Sequence, residues 1–201
     1  GARGHILISD DGATWTQVAS PVDVLLTSVS FADASNGWAV GHDAAILHSS
    51  DGGQTWKQQH YQPDLNKPLF DVLFLDAQTG FAVGAYGRFM VTKDGGRTWT
   101  AARPSEDEVH YNRITQGADG SLYLAGEGGL LLVSRDGGTA WSKADVPYDG
   151  SLFGALPLDK NRLIVYGLRG HILRSEDQGA SWTDESNQLQ VLIMGAVRDR
   201  K

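Results

Sequence analysis

Five carboxylates recur at one distance from a tryptophan, a spacing that raises two kinds of chemistry. Asp10, Asp51, Asp94, Asp136 and Asp177 each stand five residues before Trp15, Trp56, Trp99, Trp141 and Trp182. Gathered in one place, such carboxylates would ligate calcium; in facing pairs across a cleft they would carry out acid/base hydrolysis of a glycosidic bond. Their neighbours argue for neither. Each Asp comes with its own Gly and its own Trp, as in Ser49-Ser50-Asp51-Gly52-Gly53-Gln54-Thr55-Trp56 and Thr92-Lys93-Asp94-Gly95-Gly96-Arg97-Thr98-Trp99. A carboxylate that accepts bonds from backbone N–H groups just ahead of it, followed by a Gly free to take positive φ, makes a tight turn between two strands. The Trp then carries a large apolar area into the space between sheets. The five Asp–Trp pairs are therefore read as structural.

The other chemistry-bearing residues form no known motif. His5 and His171 fall at equivalent places in different repeats, and His42, His48, His60 and His110 lack ligand spacing, so no metal is expected. Gly126-Glu127-Gly128-Gly129 lacks the following helix that a dinucleotide site needs, and no cofactor is expected. Zero cysteines remove disulfides, thiolate metal sites and cysteine nucleophiles together.

The elements that position these residues follow from the repeat. The tryptophans recur every 41 to 43 residues, the length of a propeller blade of four short strands. About ten residues before each turn lies a strand ending in Gly: Gly37-Trp38-Ala39-Val40-Gly41, Gly80-Phe81-Ala82-Val83-Gly84, Leu122-Tyr123-Leu124-Ala125-Gly126 and Leu163-Ile164-Val165-Tyr166-Gly167. A third strand follows at 45–48, 88–91, 130–133 and 171–174, and an innermost strand precedes it at 28–31, 71–74, 113–116 and 154–156. With a fourth strand starting at each Trp, the unit has four strands that cannot bury both faces alone and must pack on their neighbours. The expected fold is an all-β propeller of four-stranded antiparallel blades, one domain over 1–201, with repeats near 1–18 (partial), 19–60, 61–103, 104–145, 146–186 and 187–201 (partial). An innermost strand is expected at Val191 to Val197. The ends are out of phase with whole blades. Either they share one blade that lacks a strand, closing a five-bladed ring, or the chain represents about five blades of a longer propeller; the second is preferred because a missing strand leaves backbone unpaired.

Composition agrees with many tight turns: 201 residues, 41% hydrophobic, 25 Gly and two Met. A net charge of -7 without long charge runs argues against nucleic acid as partner. No apolar run reaches the length of a membrane span, so direct membrane insertion is not expected.

Recognition is expected on the face opposite the Asp turns, which carries the loops after each second strand and the longer connectors between blades. In the first set the glycines are constant and the third letter varies: Arg3, Asp43, Tyr86, Gly128 and Arg169. The second set includes His60, Tyr61 and Asp64 in one connector and Pro104 to Tyr111 in another. Candidate partner-binding residues are Arg3, Arg88, Arg169, Tyr86, His60, Tyr61 and Tyr111, with Asp71 and Arg113 near the axis, where a mutual ion pair is the favoured reading.

The strand at 37–41 joined to residues 46–56, with its echo over 80–99, resembles the photosystem II assembly and stability factor family of Asp-box (BNR-repeat) propellers, which includes exported bacterial relatives. The resemblance runs over essentially the whole chain. It implies a seven-bladed propeller and a non-enzymatic assembly factor that binds other proteins in part through an arginine-rich surface, for which Arg3, Arg88 and Arg169 are the candidates. It also implies a protein partner, a membrane protein complex included, and an exported location in the periplasm or cell envelope. The competing functions are a sialidase-like glycoside hydrolase and a non-catalytic glycan-binding propeller. A sialidase needs three converging arginines and a Tyr–Glu pair, and only Arg113 sits on an innermost strand.

Overall fold

The computed structural model describes residues 1–63, 66–186 and 190–198. Among the described residues, eighteen strands form one two-stranded sheet, β1 (Ile6–Ile8) with β2 (Thr16–Val18), and four four-stranded sheets. Two compact units divide the chain, Gly1–Ala102 and Arg103–Lys201.

The first unit holds β1–β2 and two antiparallel sheets. One is β3 (Leu26–Phe31), β4 (Gly37–Gly41), β5 (Ile46–Ser49) and β6 (Lys57–His60); the other is β7 (Leu69–Phe74), β8 (Gly80–Gly84), β9 (Phe89–Thr92) and β10 (Thr100–Ala101). In both, strands adjacent in sequence are adjacent in the sheet. These are propeller blades, and β4 and β8 are buried along their whole length because they are packed on both faces. The core joins Trp38 and Val40 of β4 to Leu69, Val72 and Phe74 of β7. Trp38 stacks on Phe74 at 3.4 Å and 8°, while Trp99 meets the same ring edge-on at 5.8 Å and 84°. Phe74 in turn covers Gly80, where an added Cβ would lie 2.6 Å from three of its ring atoms.

The second unit repeats the plan with β11 (Tyr111–Gln116), β12 (Leu122–Gly126), β13 (Leu131–Ser134) and β14 (Ser142–Lys143), then β15 (Leu152–Pro157), β16 (Leu163–Gly167), β17 (Ile172–Ser175) and β18 (Thr183–Asp184). Tyr123, Ala125, Leu131 and Val133 pack on Leu152, Ala155, Leu163 and Val165.

Two features differ from expectation. Each innermost strand starts two residues earlier than its sequence pattern, across a register shift, at Leu26/Ser28, Leu69/Asp71, Tyr111/Arg113 and Leu152/Gly154. The extra residue of such a bulge leaves the ladder and can bond elsewhere. Thr27 Oγ1 donates to Leu69 O at 2.9 Å and Asn112 Nδ2 donates to Leu152 O at 2.8 Å, each tying one blade to the next. Second, the innermost strand expected at Val191 to Val197 is not a strand. Residues 190–198 form no ladder with any described residue, and Ile193 N–H donates to Gly167 O at 3.2 Å. The expected partial repeat over 187–201 falls partly outside the described residues.

Candidate functional site

The Asp turns are closed by their own atoms. Asp51 accepts from Thr55 N–H at 2.9 Å, Thr55 Oγ1 at 2.5 Å and Ser49 Oγ at 2.8 Å, and Ser49 Oγ accepts from Gly53 N–H at 2.8 Å. Asp94 and Asp177 repeat the pattern, and Asp136 does so with Ala140 N–H at 2.9 Å. The hydroxyl and backbone donors hold Asp51, Asp94 and Asp177 at a pKa of about 2. A carboxylate so occupied has little left for a substrate.

The first copy needs a correction. Asp11, not Asp10, is its turn carboxylate: Asp11 accepts from Ala13 and Thr14 N–H at 2.8 and 2.7 Å and from Ser9 Oγ at 3.0 Å. Ser9 lies six residues before Trp15, whereas Ser49 lies seven before Trp56, so counting back from the Trp points to the wrong Asp. Trp15 is also not buried. It is 58% exposed, whereas Trp56 is 8% exposed. Trp99 packs on the Trp38 core and Trp182 on the Tyr123 core; Trp141 Nε1 donates to Gly138 O at 3.1 Å.

On the opposite side the loop after each second strand is one tight turn in which the variable letter adopts left-handed backbone. φ is 52° at Arg3, 57° at Asp43, 54° at Tyr86, 62° at Gly128 and 57° at Arg169. A non-glycine residue pays for that conformation, a cost tolerated where the surroundings fix it and found often at functional sites. The next residue repeats the positive φ. At Gly129 close approach also excludes a side chain, since a Cβ there would sit 1.8 Å from Tyr148 O. The residue type at this position differs between blades, and Arg3, Tyr86, Gly128 and Arg169 are exposed.

In the first unit the connector after β6 folds onto these turns. Gln62 N–H donates to Asp43 O at 2.8 Å, Tyr61 OH donates to Asp43 Oδ2 at 3.2 Å, and Arg88 Nη2 donates to Gln62 Oε1 at 2.9 Å. Burial lowers the pKa of Arg88, and burial with the Arg88 charge lowers that of His60. Arg88 Nε and His60 Nε2 are buried without hydrogen-bond partners. Arg88 thus ties the connector to the turn, while Tyr86 is 56% exposed. Asp64 lies outside the described residues.

In the second unit Glu127 accepts from His110 N–H at 3.0 Å, with its carboxylate 3.4 Å from His110 Nδ1. Tyr111, read from sequence as a loop residue open to a partner, is instead the first residue of β11, 1% exposed, its OH donating to Asp107 O at 3.3 Å. Arg113 is half-buried and donates to Tyr166 OH at 3.1 Å. Asp71, in the first unit, is buried and accepts from Ser28 Oγ at 2.5 Å. These three are held inside the blades. The exposed members of the expected set are Arg3, Tyr86 and Arg169. Sequence reasoning missed the bulge residues Thr27 and Asn112 as inter-blade ties.

A photosystem II stability/assembly factor, HCF136, of Cyanidioschyzon merolae is 36% identical over 53 residues, 25% of this chain and 12% of that relative, so the match spans a small part of the relative's length. A solved structure described as YCF48 bound to D1 peptide matches 92% of this chain and 76% of its own, with a TM-score of 0.51 and 21% identity. A GH74 enzyme from Niastella koreensis matches 90% of this chain and 34% of its own, with a TM-score of 0.72 and 18% identity. At these identities the structures establish the fold alone, an all-β array of propeller blades. The sequence model of the family described as Photosynthesis system II assembly factor YCF48 matches residues 8–68 and 59–201, and the chain therefore belongs to that family.

Proposed function

We propose that this chain is a non-enzymatic assembly or stability scaffold that holds a segment of a protein partner on the turns after its second strands. The carrying observation is the series of left-handed turn residues, identical in backbone and different in side chain, with Arg3, Tyr86 and Arg169 exposed. Within each unit these turns offer aromatic or guanidinium contacts, the types enriched at protein interfaces. Membership of the YCF48 family and the peptide held by a solved family relative support a polypeptide ligand, here a segment of a membrane protein complex of the photosystem II type. No helix among the described residues is long and apolar enough to cross a membrane. The reading places the chain outside the cytoplasm, in a periplasmic or lumenal compartment, as one propeller domain with the blades of a seven-bladed ring.

Affinity capture from solubilised membranes of the source organism tests this, beside a triple variant Arg3→Glu, Tyr86→Ala, Arg169→Glu whose folding is checked by circular dichroism. A defined membrane-complex subunit retained by the parent and lost by the variant is the expected result. Equal capture by both, or none by either, refutes the reading.

A second reading, glycoside hydrolysis, rests on likeness to the GH74 enzyme, and fold alone does not confer activity. It requires turnover of a reporter glycoside that is abolished by one loop substitution such as Glu127→Gln.

A further inference from the structure

The connector that leaves β6 in the first unit is fastened at two points. Gln62 N–H donates to Asp43 O at 2.8 Å and Tyr61 OH to Asp43 Oδ2 at 3.2 Å, which ties it to the turn after β4. Gln62 Oε1 accepts from Nη2 of Arg88, just before β9, at 2.9 Å. His60, the last residue of β6, lies at the root of the connector opposite Ile46, and its ring also bonds the Gln62 side chain. One glutamine therefore joins an imidazole to a guanidinium.

No carboxylate balances that pair. Among the described residues neither His60 nor Arg88 enters an ion pair, and His60 Nε2 and Arg88 Nε are buried without hydrogen-bond partners. Asp43, the carboxylate of the turn, is taken by Tyr61 OH, and the charge of Asp23 acts on the same hydroxyl. A neutral imidazole is tolerated in such a place. An imidazolium would bring a second buried N–H without an acceptor and a like charge beside Arg88. Burial lowers the pKa of His60, Gln62 raises it and the Arg88 charge lowers it, with a net shift downward.

We infer that His60 is a pH-sensitive latch, which when neutral holds the connector over 60–63 on the turn at Asp43 and on taking up a proton beside Arg88 releases it. In the released connector the imidazole is open to water and titrates at about 6.5. The held form binds the proton less readily, so the released form carries more protons below that pH. The closed state is therefore complete above about pH 6.5 and is lost as pH falls, by up to about tenfold in the closed-to-open ratio per pH unit. His48, at the other end of the β5–β6 pair and opposite Lys57, also has a buried, unpartnered Nε2. Its ring, however, stacks on Trp38 at 4.7 Å and 28°, and an aromatic face offsets a positive charge. The latch needs no partner, so it stands or fails apart from the scaffold reading.

The test is amide hydrogen exchange at Gln62 in the intact chain, corrected for the intrinsic pH dependence, with β12 of the second unit as internal reference. Opening at Gln62 should rise roughly three- to tenfold between about pH 6.5 and about pH 5.5 while β12 stays constant. His60→Gln, which cannot charge, removes the rise; His48→Gln leaves it. The His60 ring, followed by NMR, should titrate below an unstructured histidine and move upward in Arg88→Gln, a readout that holds even where a variant loosens the connector outright. Opening that is flat with pH, a rise that survives His60→Gln or disappears in His48→Gln, or a His60 ring that titrates as in an unstructured peptide, overturns the inference.

Discussion

The turn carboxylates are the residues whose physical state is most sharply defined. Hydroxyl and backbone donors hold Asp11, Asp51, Asp94 and Asp177 at about 2, and hydrogen bonds to Ala140 N–H and Ser134 lower Asp136 in the same direction. In the unfolded chain these groups titrate at about 3.9. Between those values the unfolded state binds more protons than the folded one, so their contribution is complete above about pH 4 and is lost as pH falls toward about 2. Urea midpoints measured across that window should fall steeply with acid, and Asp94→Asn, which removes one titrating group, should flatten the slope. An unchanged slope would mean that the turn bonds are not what the acid breaks.

Residue identity in these turns was legible from sequence except where the count slipped. The repeat identified the turn and the tryptophan, but the first copy is one residue shorter, and only the hydrogen bonds reveal that Asp11 has taken the role expected of Asp10. The left-handed backbone of Tyr86 and Arg169 was not legible, since neither residue type favours it. The glycine that follows each was the available clue.

At the scale of the element, the second strands were the easiest to find and are the most constrained. Trp38 is 1% exposed and covers Phe74 face to face. Trp38→Ala should cost about 3–5 kcal/mol by denaturant unfolding, whereas Trp38→Phe, the residue type that β8 uses at Phe81, should cost much less. Gly80→Ala forces a methyl into the Phe74 ring and should cost about 1–3 kcal/mol; a neutral result would show that the ring moves aside freely.

The innermost strands were only half legible. Their regular part follows the alternation of apolar residues, but the bulge does not, because its extra residue is Thr27, Phe70, Asn112 or Phe153, which share no property that marks a bulge. A bulge also shifts which face the preceding residue occupies. That is how Tyr111 came to be read as an open loop residue when it is core. Thr27→Val removes the hydroxyl that bonds both Leu69 O and Val40 O while keeping the side-chain shape, and should cost about 1–2 kcal/mol.

At the scale of the molecule, every four-stranded sheet is built from strands consecutive in sequence, so its pairings are local and each blade is a repeat that needs a neighbour to bury its faces. Stability in such arrays is approximately a sum of repeat and interface terms and is spread unevenly. Among the described residues the first unit holds an apolar cluster around Trp38 and Phe74, and the second unit one around Tyr123 and Leu152. A cavity in one cluster should therefore open that unit first. In Trp38→Ala, native-state hydrogen exchange should quicken by orders of magnitude at β4 and β7 while β12 and β16 change little. Equal acceleration at all four strands would show instead that the chain opens as one cooperative body, the behaviour expected of a single propeller domain, and the same measurement thus decides how far the blades act together.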